Sequence, residues 1–142
     1  MIQKFWISDV RKIVVCVDAY ENGVLKGRFY HAYQDAYCFE SLSQFLMKTE
    51  QVLEEIQTPQ AYTSKRTFGS LQIPQKEPTL PTRFRKGIKA TFELQVLFRQ
   101  YSSWQGVLIW KDRHLEESFR SVLELVLLMD SALRGVEGSV AS

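Results

Sequence analysis

All four prolines of this chain, Pro59, Pro74, Pro78 and Pro81, fall in one stretch, and that stretch divides the sequence. Proline fixes φ and removes a backbone donor, so neither a helix interior nor a central strand runs through such a segment. Residues 58–89 also show neither hydrophobic period, and they carry Lys65, Arg66, Lys76, Arg83, Arg85, Lys86 and Lys89 against Glu77 alone. They are expected to form a basic, Pro-rich linker or arm. The fold must then come from two flanking blocks, residues 1–57 and 90–135, with 136–142 as a small polar tail.

The first block opens with two β-branched runs, 11–20 and 24–33, around Asn22-Gly23. Asn-Gly accepts positive φ at both positions and is a strong hairpin signal. Gln34-Asp35 breaks the chain again, and Ala36 to Phe39 reads as a short third strand. Phe39, Leu42, Phe45, Leu46, Val52, Leu53 and Ile56 then recur at helical spacing. Glu40 and Ser41 begin this helix, and Gln57-Thr58-Pro59 ends it. In the second block, Phe92, Leu94, Val96 and Phe98 alternate along a strand from Ala90. Gln100 to Ser103 turn the chain into Trp104–Trp110, and Lys111-Asp112-Arg113 turn it once more into a short strand through Leu115. A second helix is expected from about Glu117 to Leu133, with Gly135 as its stop.

The two blocks share a plan. Phe39-Glu40-Ser41-Leu42 corresponds to Phe119-Arg120-Ser121-Val122, and Gly27 falls opposite Gly106 with one residue of slippage. Self-similarity at a fixed spacing points to a repeated supersecondary unit. One such unit buries too little to be stable alone. The expected fold is α+β: two tandem ββα or βββα units joined by the linker into a single domain, their strands forming one antiparallel sheet with both helices on one face.

That shape leaves surface to cover. Val122, Leu123, Leu125, Val126, Leu127, Leu128 and Met129 occupy nearly every angle of the second helix, and a helix apolar all round is buried all round. The Trp104–Trp110 strand carries Val107 and Ile109 on one face and Trp104, Leu108 and Trp110 on the other. The expected interface between copies is Trp104, Val107, Ile109, Trp110, Val122, Leu123, Val126 and Leu127.

Chemistry-bearing patterns are sparse. His31 and His114 have no partners at metal-ligand spacing, and there is no phosphate-binding glycine loop. Cys16, Asp18 and His31 could meet across the first hairpin, but a nucleophile also needs an orienting group and an oxyanion site. Cys16 and Cys38 are expected to be reduced, buried thiols. Neither end carries a signal or lipidation motif, and no apolar run reaches bilayer length. These features lead to a non-catalytic, cytoplasmic binding or assembly module acting as a homodimer, with a protein partner but no cofactor, metal or membrane. The formal charge of +2 does not by itself indicate nucleic acid. The alternative is nucleic-acid binding through Lys65, Arg66, Arg83, Arg85, Lys86 and Lys89, with Tyr30, Trp104 or Trp110 as a stacking platform.

Overall fold

A computed structural model describes residues 12–31, 35–56 and 84–141. They form six strands and two helices: β1 Lys12–Glu21, β2 Val24–His31, β3 Asp35–Phe39, α1 Leu42–Ile56, β4 Ala90–Phe98, β5 Gln105–Trp110, β6 Leu115–Phe119 and α2 Val122–Ala141. The strands make one antiparallel sheet in the order β3-β2-β1-β4-β5-β6. Both halves run through three strands and then a helix, and they meet at the sheet centre, where β1 pairs with β4 from Lys12↔Gln95 to Val17↔Ala90. The chain is α+β, as its hydrophobic periods indicate.

The first hairpin turns at Asn22 and Gly23, both with positive φ (53° and 77°), as a two-residue turn that follows the strand twist requires. The β4–β5 connection uses the same backbone region with less suitable residues, Tyr101 (58°) and Ser102 (57°). Each costs on the order of 1 kcal/mol more there than glycine would. β1 slips register between Val17 and Ala19, and β4 slips between Val96 and Phe98. The residues facing these bulges are glycines for a steric reason. A Cβ on Gly27 would stand 2.0 Å from the Cys16 carbonyl oxygen, and one on Gly106 would stand 1.9 Å from that of Gln95.

One face of the sheet carries the main core. Ile13, Val15 and Val17 of β1, Phe29 of β2, and Phe92, Leu94 and Val96 of β4 are fully buried there. Phe45, Val52 and Leu53 of α1 and Leu125, Met129, Ala132 and Leu133 of α2 pack onto the same cluster, so both helices share this face. Each helix starts with the same reciprocal cap. Ser41 Oγ accepts from Gln44 N–H while Gln44 Oε1 accepts from Glu40 N–H. Ser121 Oγ accepts from Glu124 N–H while Glu124 Oε1 accepts from Arg120 N–H. This is a variant of the capping box whose return bond closes on the residue before the cap, and the serine satisfies one of the donors that a helix start leaves open.

Each helix is also tied to the strand ends of the other half. Arg99, at the end of β4 and 2% exposed, donates to Glu50 Oε2 (2.8 Å) and Glu54 Oε1 (3.2 Å) of α1. Trp104 Nε1 donates to the other oxygen of Glu50 (2.8 Å). In the opposite sense, the Tyr20 hydroxyl at the end of β1 donates to Asp130 of α2.

Three expectations about element boundaries change. Residues 115–119 are an edge strand paired with β5, not the first turn of the second helix. The helix waits for Ser121, because the cap and not the acidic Glu116-Glu117 pair defines its start. It also runs through Gly135 to Ala141. Glycine lowers helix stability without forbidding a helix. Strand β2 is described to His31, and residues 32–34 lie outside the described residues, as does most of the expected linker, 58–83.

These contacts make opposite predictions for two glycines. Gly106→Ala drives a methyl into backbone and should destabilise the chain by about 3 kcal/mol, measured by urea denaturation. A Cβ at Gly135 meets nothing within 4 Å, so Gly135→Ala should stabilise by roughly 0.5–1 kcal/mol.

Candidate interaction surface

Helix α2 is two-sided, not uniformly buried. Leu125, Met129, Ala132 and Leu133 recur at helical spacing and face the core. Leu123 and Leu127, one turn apart, face outward and are 66% and 57% exposed. Val126 lies half-buried between them, and Val122 and Leu128 pack at the margin of the core. The strip is flanked by two ion pairs within the helix and its cap, Arg120–Glu124 (2.9 Å) and Arg134–Asp130 (2.6 Å). The Arg120 guanidinium holds the Glu124 carboxyl below its ordinary range. The Tyr20 hydroxyl and then Arg134 do the same for Asp130. The apolar strip is thus bordered by charges already neutralised in place. Helix α1 presents a different outer surface: Ser43, Gln44 and Glu55 are exposed, and among its described side chains Met47 is the one large exposed apolar residue (37%).

The remaining expected interface positions do not lie on this surface. Trp104 is 4% exposed and belongs to the core. Trp110 packs on the core from the same side, with the Arg113 guanidinium 5.1 Å above its ring. Val107 and Ile109 are half-buried and alternate onto the opposite face of the sheet. A single flat contact therefore does not engage all of these residues together.

The opposite face holds the densest polar cluster described. Arg28, 6% exposed, spreads its guanidinium between Asp18 of the β1 bulge, the Tyr30 hydroxyl (3.0 Å), and the carbonyls of Arg85 (2.7 Å) and Lys86 (3.2 Å). Asp18 accepts in turn from the Ile88 N–H (3.1 Å), and the Lys89 N–H donates to the Val17 carbonyl (2.8 Å). Burial works against the Arg28 charge, but hydrogen bonds to Tyr30 and Asp18 outweigh it and hold the guanidinium protonated. The Phe84 ring closes edge-on over Tyr30 at 5.1 Å. Residues 84–89 are therefore a strap fixed across the sheet.

The contacts of this cluster tie residues 84–89 to β1 and β2. Burial pushes the Cys16 thiol up to about 11, so it stays neutral and donates to the Arg85 carbonyl (3.2 Å). A thiolate, not a thiol, is the nucleophile. His31 pairs with Ile13, whereas Cys16 pairs with Arg28, so the imidazole and the thiol leave the sheet on opposite faces. Cys38 is exposed, contrary to expectation, and both cysteines are free. Among the described residues, no group of three His, Cys, Asp or Glu side chains is placed to hold a metal ion, and no helix is long and apolar enough to cross a membrane.

The basic residues divide similarly. Lys65, Arg66 and Arg83 lie outside the described residues. Arg85 and Lys86 have exposed side chains, but their carbonyls are committed to Arg28; Lys89 is half-buried. Of the expected aromatic platform, Tyr30 is 1% exposed beneath Phe84 and Trp104 is in the core, while Trp110 is half-buried with Arg113 over its ring. Sequence reasoning missed Arg28 and grouped Asp18 with Cys16 and His31, whereas its partner is Arg28. The one available signal was an arginine inside an otherwise apolar hairpin, opposite an aspartate. Comparison of the chain with protein-family models, with curated proteins and with solved structures finds no match.

Arg28→Met keeps the stem but takes the guanidinium from Asp18 and two carbonyls, leaving Asp18 the Ile88 N–H and the Arg85 carbonyl the Cys16 thiol. It should cost about 2–3 kcal/mol in chemical denaturation. It should also increase proteolytic cleavage near residues 84–89.

Proposed function

We propose that this protein is a non-catalytic cytoplasmic assembly module, built as a duplicated βββα unit, that pairs with a second copy of itself through the outer face of α2. The observation carrying this reading is the difference between the two helices. They start with equivalent caps at Ser41 and Ser121 and bury equivalent faces. At matching outward positions α1 has Ser43 and Met47 where α2 has Leu123 and Leu127. Helix packing within the chain does not require leucines at those exposed positions. A second copy would take them out of water.

Several matches support the duplication. Glycines 27 and 106 sit beside equivalent bulges. The crossed contacts match too, Tyr20 to Asp130 in one sense and Arg99 to Glu50 in the other. One face of a single helix buries less than the roughly 1,200–2,000 Å² of a stable interface, so the pairing is expected to depend on concentration.

Native mass spectrometry over a concentration series tests the assembly. The parent should show a species of twice the chain mass, and Leu127→Glu should abolish it. Met47→Glu, at the matching position of α1, should leave it intact. A parent that stays at single-chain mass throughout, or a folded Leu127→Glu variant that still doubles, overturns the reading. Added mass from co-purifying oligonucleotide that falls away with salt would favour the nucleic-acid alternative, for which the exposed Arg85 and Lys86 side chains are the described anchors.

A further inference from the structure

The face of the sheet away from the helices is covered unevenly. Over β2 the strap runs from Phe84, with its ring on Tyr30, to the start of β4 at Ala90. In doing so it crosses β1, which lies between β2 and β4. Over β5 stand Val107 and Ile109, apolar and half-buried.

The strand registers relate these two places. The β1 bulge and Gly27 match the β4 bulge and Gly106 at a constant step of 79 residues. That step takes Tyr30 to Ile109, Arg28 to Val107 and Asp18 to Leu97. Carried back from the strap, the same step takes Arg83-Phe84 to Lys4-Phe5, a cation followed by phenylalanine in both cases. The strands alone set this register, so the phenylalanine match is a separate observation. The geometry agrees as well. The arm ahead of β1 must cross β4 to reach β5, just as the strap ahead of β4 crosses β1 to reach β2. Two strand spacings amount to about 10 Å. The seven residues from Phe5 to Lys12 span up to about 23 Å when extended.

We infer that the far face of β5 is a docking site for the chain's own segment around residues 4–6, with Phe5 seated against Ile109 as Phe84 is seated against Tyr30. Because Val107 and Leu97 replace Arg28 and Asp18, the guanidinium clamp has no counterpart there. Val107 and Ile109 supply the apolar contact, beside Glu93 and Gln95 where the strap has Val14 and Cys16, so this seat is the more easily vacated of the two. The inference rests on the correspondence between the halves and not on self-association through α2, which lies across the sheet.

Photo-crosslinking in the full chain tests it. Phe5→p-benzoylphenylalanine should give, on irradiation, a product of single-chain mass whose crosslink maps to residues 105–110. Ile109→Ala should reduce its yield several-fold. Phe84→p-benzoylphenylalanine is the reference and should crosslink to β1 or β2 regardless of Ile109. Three results overturn the inference: crosslinks from position 5 that map elsewhere, crosslinks only between chains, or no product under conditions where position 84 reacts.

Discussion

The antiparallel pairing of β1 with β4 is the constraint on which the rest of the structure depends. The two three-stranded halves share one core cluster instead of burying two separate ones. Joined edge to edge, they place Ile13, Val15 and Val17 beside Phe92, Leu94 and Val96 and give the two helices one continuous floor. The join also brings each helix within reach of the other half's strand ends. Buried Arg99 can be satisfied by Glu50 and Glu54, and Tyr20 can reach Asp130, only when both halves are present. An arginine at 2% exposure without those carboxylates would carry a large desolvation penalty. The polar contacts therefore specify the arrangement that the hydrophobic floor stabilises.

The second face of the sheet is managed by different means. A guanidinium inside the sheet is tolerated because Asp18, displaced outward by the β1 bulge, meets it, and because the strap's carbonyls fill its remaining donors. The same burial that secures Arg28 keeps the Cys16 thiol protonated. A polar cluster of this kind can resemble an active site when seen as a set of residue types. Its partners show that it anchors the chain entering β4.

Much of the fold was legible in the sequence, because the determining signals are local. Asn22-Gly23 sets the first hairpin, alternation from Phe92 to Val96 sets β4 up to the bulge that leaves Phe98 exposed, and the Phe39–Ile56 pattern sets α1. Strand β6 was legible only as a short strand reaching Leu115, not in its run to Phe119. Its residues Leu115 to Ser118 are exposed, so they show no alternation, and only pairing with β5 makes them a strand. The full burial expected of α2 failed for a related reason. A helix rich in apolar residues at every angle is either enclosed or two-sided, and composition does not distinguish these. Trp104 illustrates the limit in the other direction: its place in the core depends on Glu50, far away in sequence.

What the described residues leave over is the strip of Leu123 and Leu127, which stands outside the core cluster and whose bordering charges are already paired. Its role is most directly measured by methyl NMR of the parent protein over a dilution series. Burial between copies predicts that the Leu123 and Leu127 methyl signals move together with dilution, while that of Met47 on α1 stays fixed. Leucine signals that are independent of concentration, or shifts confined to Val107 and Ile109 on the opposite face, would contradict the account.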